Sequence, residues 1–266
     1  MTAWDLTSLE FSVLLNNLGR DRVPFPFSWW APVRTADELG VARRDAENRV
    51  ADDSLADSVG LLHDQGGLHV TVCGTDASDR RVRVRAAMSA DGARAVVVHQ
   101  DPGPSPDRGG AIHVAAVTAR AVAATIAAAL PLGKPGALPA SSVGRAELLA
   151  GPDSYLHGSA GDDDRHRVSS VLNGSRDGLG EVVLGRAVDV DGPLNVLEGW
   201  RWVDVVGDGR YLLTASDVVG IEPATPAAMT SALVDAITQV RRHAGSARSD
   251  PAATRGVVRP VSRVHR

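Results

Sequence analysis

The chain has 266 residues, with 28 basic and 32 acidic side chains and a formal net charge of −4. Hydrophobic residues make up 44% and charged residues 23%, which excludes a disordered chain, and the mild acidity gives no general attraction to nucleic acid or anionic membranes. The single cysteine, Cys73, excludes an intrachain disulfide framework and a metal site built from several cysteines.

Helical periodicity predicts three helices in the first part of the chain, at 6–18, 36–50 and 55–62. Thr7 and Glu10 have the spacing of a capping box, and Thr35 is typical of the residue that caps the second helix. Between these two helices, the proline-rich segment 24–30 is predicted to be extended.

Alternating apolar and polar residues then predict four strands, at 68–73, 81–87, 94–99 and 112–117, followed by a helix at 118–130. Asp91 and Gly92 form a turn signal between the second and third of these strands. Three arginines, Arg81, Arg83 and Arg85, share one face of the second strand. No aromatic residue interleaves with them for base stacking, so this face predicts a solvated sheet surface rather than a nucleic-acid site.

The second half repeats this element order. Helices are predicted at 145–149 and 160–172, strands at 181–190, 200–206, 210–215 and 218–221, and a last helix at 226–243. This repetition predicts two similar subdomains, about 1–131 and 140–244, within one domain at 1–244. The Arg-rich segment 245–266 has little to bury, and we expect it to be disordered.

Recognisable catalytic motifs are absent from the sequence: it has no phosphate-binding loop, dinucleotide fingerprint, H-E-x-x-H or G-x-S-x-G. Weaker groupings have ordinary structural interpretations. The acidic run 162–164 beside His166 suits a helix amino terminus, and His63 and His69 lack a third ligand nearby. Asp204 and Arg210 are predicted to pair across a hairpin. We therefore predict no catalytic residues, metal or cofactor.

Aromatic residues cluster in two places, at 25–30 and at Trp200 and Trp202. Burial in the core is the commoner fate of such groups, but part of one cluster could instead rim a protein-binding surface. The first residues carry Asp5 and no basic segment, and the apolar stretch 111–132 is interrupted by polar residues. We therefore expect a cytoplasmic protein that is not inserted in a membrane.

Several short motifs, in this order along residues 4–243, resemble the ESX secretion-associated protein EspG family of cytoplasmic chaperones in actinobacterial type VII secretion. They are Leu6-Thr7-Ser8-Leu9-Glu10-Phe11, Val23-Pro24-Phe25-Pro26-Phe27, Arg34-Thr35-Ala36-Asp37-Glu38, the helix ending in Leu130-Pro131, Trp202-Val203-Asp204 with Gly207-Asp208-Gly209-Arg210-Tyr211-Leu212, and Ile221-Glu222-Pro223-Ala224. The resemblance implies an α+β fold, with a central antiparallel sheet, flanking helices and two similar halves in a quasi-two-fold arrangement.

The resemblance also implies a binding protein rather than an enzyme. Members of the EspG family bind the apolar helical tip of the PPE subunit in a PE–PPE heterodimer and keep it soluble for export. The implied contacts are a loop between the second and third strands and a carboxy-terminal helical region. In this sequence these are Thr75, Asp76, Ala77, Ser78, Asp79 and Arg80, and Leu233, Ile237 and Val240 of the last helix. A small-molecule, hydrolase-like enzyme with an Asp/His site is the alternative, and the client's identity and the oligomeric state stay open.

Overall fold

A computed structural model describes residues 2–131, 133–149, 159–187 and 194–249, which form ten strands and seven α-helices. The strands are β1 (Thr2–Leu6), β2 (Leu68–Thr75), β3 (Arg81–Met88), β4 (Ala95–Gln100), β5 (Ile112–Val117), β6 (Ser141–Gly144), β7 (Arg176–Ala187), β8 (Leu194–Val205), β9 (Arg210–Ala215) and β10 (Val218–Pro223). The helices are α1 (Ser8–Asn17), α2 (Ala36–Arg49), α3 (Asp53–Gly60), α4 (Val122–Ala129), α5 (Arg145–Leu149), α6 (Ser159–Asn173) and α7 (Pro226–Ser249), with a 3-10 turn at Leu61–His63.

All ten strands join one antiparallel sheet in the order β1-β5-β4-β3-β2-β7-β8-β9-β10-β6. The predicted α+β fold with a central antiparallel sheet is therefore confirmed. From one edge to the centre the first half runs β1-β5-β4-β3-β2, and from the other edge the second half runs β6-β10-β9-β8-β7. Each half therefore places its own first strand at the edge, followed by its fifth, fourth, third and second. The two series meet where Val72 of β2 lies opposite Val182 of β7. A quasi-two-fold arrangement would require this order, and the two-fold relation itself stays a prediction.

Helices α4 and α7 cover the first face of the sheet, on which alternate residues of the central strands are apolar. Ile126 of α4 and Leu233 of α7 are fully buried in this layer, together with Trp202 of β8. Since both halves contribute a helix and strands to this core, it joins them into one packed unit.

The second face of the sheet is covered by two separate groups of helices. At one end α1, α2 and α3 pack over β4 and β5 around Phe11. At the other end α6 packs Val168 and Val171 against a cluster that includes Tyr211 of β9. The central strands β2 and β7 lie between these two groups.

Trp202 crosses the sheet above two glycines that face each other on β2 and β7, Gly74 and Gly180. A Cβ atom added at Gly180 would lie 1.9 Å from the Trp202 ring, and one added at Gly74 would lie 2.9 Å from it. At Gly180 the indole therefore occupies the space that a side chain would fill, whereas at Gly74 a Cβ atom would first meet the β7 backbone, 2.3 Å from the Leu179 carbonyl oxygen. This explains why two glycines lie within central strands, where they are otherwise unfavourable.

The predicted Asp204–Arg210 pair is confirmed across the β8–β9 hairpin. Arg210 donates from Nε to Asp204 Oδ1 at 2.6 Å and from Nη2 to Oδ2 at 2.8 Å, and it also donates from Nη1 to the Pro131 carbonyl at 2.8 Å. Both side chains are buried. The guanidinium also lies 5.7 Å from the Trp202 ring centroid, so the pair connects the hairpin to the central core.

Local capping signals in the sequence are confirmed, whereas some element ends differ. The Thr7–Glu10 capping box forms, and Thr35 accepts from the Glu38 amide. Leu6, however, ends β1 rather than beginning a helix. A five-residue edge strand shows too little alternation to be recognised from sequence. Helix α7 extends past the predicted boundary at 244 to Ser249, and residues 250–266 of the predicted tail lie outside the described residues.

Candidate functional site

The predicted loop between the second and third strands is confirmed as the β2–β3 loop, residues 76–80, with Thr75 as the last residue of β2. Asp76 is buried and organises this loop. Its Oδ1 accepts from the amides of Ser78 at 2.9 Å and Arg80 at 3.0 Å, and its Oδ2 accepts from Nε and Nη2 of Arg80 at 2.9 and 2.7 Å. One carboxylate therefore holds the loop in a single shape.

These contacts also fix the charge of Asp76. Burial alone would raise the pKa of this carboxyl, but the hydrogen bonds from Arg80 and from the backbone amides outweigh burial and lower it. The other loop side chains, Ala77, Ser78, Asp79 and Arg80, are exposed. The loop is thus a preformed, charged projection beside the central strands.

The three predicted binding residues of α7 do not lie on the surface. Leu233, Ile237 and Val240 are buried in the layer between α7 and the first face of the sheet. They hold the helix on the sheet, and this burial makes them unavailable to a partner. The exposed side of α7 instead presents Val234, which is 44% exposed. The structure therefore does not join these residues and the loop into one surface.

On the second face, the gap between the two helical groups leaves part of the sheet accessible. We call this surface the central strip. It comprises Cys73 of β2, Leu179, Glu181 and Val183 of β7, and Arg201 of β8. Leu179 is 44% exposed and lies opposite Thr75, so the apolar end of the strip adjoins the β2–β3 loop. The strip combines apolar side chains with one carboxylate and one guanidinium.

Glu181 lies at the centre of the strip. Its Oε2 is 3.7 Å from Arg201 Nε, and its Oε1 is 3.9 Å from Cys73 Sγ. Burial, and then the neighbouring Glu181 charge, raise the pKa of the Cys73 thiol to about 11. Because only the thiolate is a strong nucleophile, Cys73 is not activated for catalysis.

An exposed phenylalanine is held by its backbone at β3, the strand that pairs with β2 beside the strip. Phe25 is 66% exposed, and its carbonyl accepts from Nη1 of Arg85 at 3.0 Å. The aromatic residues thus divide between the two predicted roles. Phe27, Trp200 and Trp202 are buried in the core, whereas Phe25 and Trp29 are exposed, by 66% and 40%.

The arginine face of β3 is not the uniformly solvated surface that alternation predicts. Arg83 is only 6% exposed, and it donates from Nη2 to the Pro106 carbonyl. The loop that joins β4 to β5 folds over this side chain, an arrangement that local alternation does not predict.

An apolar cavity of about 420 Å³ lies between α1, α2 and the 104–111 loop. Its charged groups have structural roles. Glu10 accepts from the Thr7 amide at 2.6 Å in the capping box and from Arg49 Nη1 at 2.9 Å. Burial alone would raise the pKa of Glu10, but these hydrogen bonds lower it. The acid is therefore a capping group already held by two donors.

The weaker metal groupings in the sequence have other partners. Asp163 and Asp164 pair with Arg167, and His69 contacts the Asp64 carbonyl through Nε2 at 2.6 Å. The structure also brings together a group of possible metal ligands that the sequence analysis missed: His99, Asp101 and His113 meet at the β4–β5 hairpin. The signal was present, because both histidines fall on predicted strands joined by one loop, 101–110.

Within the described part of the chain, no helix has both the length and the apolar character needed to span a bilayer.

No curated protein matches the chain significantly in sequence. The model of the EspG family matches residues 7–235, which include strands β2 to β10 and the first ten residues of α7. The chain therefore belongs to the EspG family, a family of ESX secretion chaperones rather than of enzymes.

Proposed function

We propose that this protein is a cytoplasmic chaperone of type VII secretion that binds the apolar helical tip of a PPE-like client in a PE–PPE heterodimer. The central strip, the β2–β3 loop and the exposed Phe25 form the binding surface in this proposal. The observation that supports it is an accessible strip of a central sheet that carries apolar side chains beside a preformed polar loop. Such apolar surfaces are typical of protein-interaction sites.

The shape and chemistry of this surface suit the end of a helix bundle. Phe25, Leu179 and Val183 offer apolar contacts, whereas Glu181 and Arg201 offer charged groups between them. An apolar helix end inserted between the two helical groups would cover the apolar side chains, and its polar flanks would face the β2–β3 loop. The chaperone would thereby shield a client surface that otherwise promotes aggregation.

Co-expression with a PE–PPE pair from the same genome, followed by size-exclusion chromatography, tests this function. We expect the pair to become soluble and to co-elute with the chaperone. Every encoded pair should be tried, since a mismatched client would also elute apart. If all pairs stay aggregated and separate from the chaperone, the proposed function is wrong.

A matched pair of substitutions tests the surface. Leu179→Glu places a charge on the central strip, and Val234→Glu places one on α7 at the opposite face; both residues are 44% exposed in the free protein. We expect Leu179→Glu to weaken the client complex at least tenfold, because the apolar client would bury a carboxylate that has no partner. Val234→Glu should leave affinity unchanged in the same titration. Equal affinities for the two variants would assign the client to another surface.

A further inference from the structure

We propose that His99, Asp101 and His113 form a zinc-binding site in which Asp5 orients His113. This site is separate from the central strip, and it does not depend on the proposed function. It lies at the β1 edge of the sheet, on the first face, where β1, β4 and β5 and the loop that follows β4 bring the four side chains together.

The strand register brings the ligands together. His99 of β4 lies directly opposite His113 of β5, and Asp5 of β1 lies opposite His113 on its other side. The two imidazole rings stack with centroids 4.4 Å apart and planes inclined by 19°. One ligand atom from each of His99, Asp101 and His113 lies within 4.8 Å of the others. The stacked rings would have to turn toward one another to place all three ligand atoms around one ion.

His113 is held in an orientation that suits a metal ligand. Its Nδ1 is 2.6 Å from Asp5 Oδ1, and its Nε2 is 3.0 Å from Asp101 Oδ2. In a tetrahedral zinc site neighbouring ligand atoms are about 3.3 Å apart, which follows from bonds of about 2.0 Å. Zinc would thus replace the proton between Nε2 and Asp101, and Asp5 would keep its contact with Nδ1. A carboxylate on the distal nitrogen is the usual support of a metal-bound histidine.

The donor set favours a transition metal such as zinc over magnesium or calcium. Two imidazoles and a carboxylate match zinc, whereas magnesium and calcium prefer oxygen ligands alone. His99 and His113 are partly accessible and Asp101 is exposed, so an ion could enter from solvent and keep water as a fourth ligand. Bound zinc would connect β4 to β5 and, through Asp5, would stabilise the pairing of β1.

Isothermal titration of untagged, chelator-treated protein with zinc chloride tests this site. We expect one zinc per chain, with affinity lowered at least tenfold by His99→Gln and by Asp101→Asn. Asp5→Asn should weaken zinc binding by about 10- to 100-fold, the usual effect of removing a supporting carboxylate. His166→Gln is the matched control, because His166 is an exposed histidine on α6, and it should bind zinc like the wild type.

Cobalt substitution gives a second readout, which reports the coordination geometry of the bound ion. Cobalt bound by the predicted ligands should show the intense visible absorption of a tetrahedral site, and His99→Gln should abolish it. His99→Gln is the decisive variant because the contacts of His113 with both carboxylates remain. The proposal is overturned if the wild type binds no zinc, or if His99→Gln, folded by circular dichroism, binds zinc as tightly as the wild type.

Discussion

Asp204→Asn is expected to lower the free energy of unfolding by about 3–5 kcal/mol, because removing one partner of a buried ion pair leaves the other charge uncompensated. Arg210 would remain buried on the β8–β9 hairpin, with only the Pro131 carbonyl as a strong acceptor among its described contacts. An amide can accept one hydrogen bond from the guanidinium, but it cannot balance the charge. Loss of the ion pair should also affect packing in the central core, because the same guanidinium lies over Trp202.

Urea denaturation monitored by tryptophan fluorescence measures this effect, with the slope of the transition checked for constancy. The control is Arg201→Gln, which removes the exposed pair between Arg201 and Glu181. Exposed pairs contribute about 0–1 kcal/mol, so this variant should unfold close to the wild type. Similar midpoints for the two variants would show that the buried pair has no special role in stability.

Trp202→Ala is expected to lower the free energy of unfolding by about 3–5 kcal/mol, the usual cost of truncating a buried aromatic residue. The indole is 1% exposed and fills the space above Gly74 and Gly180. Gly180→Ala forces its new methyl group into the same ring, and such overpacking typically costs about 1–3 kcal/mol.

The two substitutions should not be additive. Once Trp202 is alanine, the ring atoms nearest to the added methyl group at Gly180 are gone, so the double variant should be more stable than the sum of the single effects implies. Gly60→Ala is the control, because a Cβ there meets nothing within 4 Å, and alanine is the better helix former. Additive effects in denaturant titrations of the four proteins would show that the ring does not occupy the predicted position.

Local signals in the sequence predict much of the fold. Thr35 and the Thr7–Glu10 box identify helix starts because capping depends on residues three apart. The order of the central strands is less accessible. Leu179 and Thr75 become neighbours only because β7 pairs with β2, and no local pattern connects residues so far apart in the chain.

The candidate site was only partly predictable for a related reason. Periodicity correctly identifies the apolar stripe of α7 that contains Leu233 and Ile237, but it cannot say whether a stripe faces the protein's own sheet or a partner. The same limit applies to the aromatic cluster, where Phe27 is buried and Phe25 is exposed. Only the packing of the segment against α1 and β3 separates these two residues.

Hydroxyl-radical footprinting of the protein, alone and in complex with the proposed PE–PPE client, tests the central claim most directly, since it reports side-chain accessibility by mass spectrometry. Phe25 and Leu179 are 66% and 44% exposed in the free protein, and we expect both to lose reactivity in the complex. Val234, on the opposite face of the molecule, should keep its reactivity. Protection of Val234 with unchanged reactivity of Phe25 and Leu179 would contradict the proposed surface.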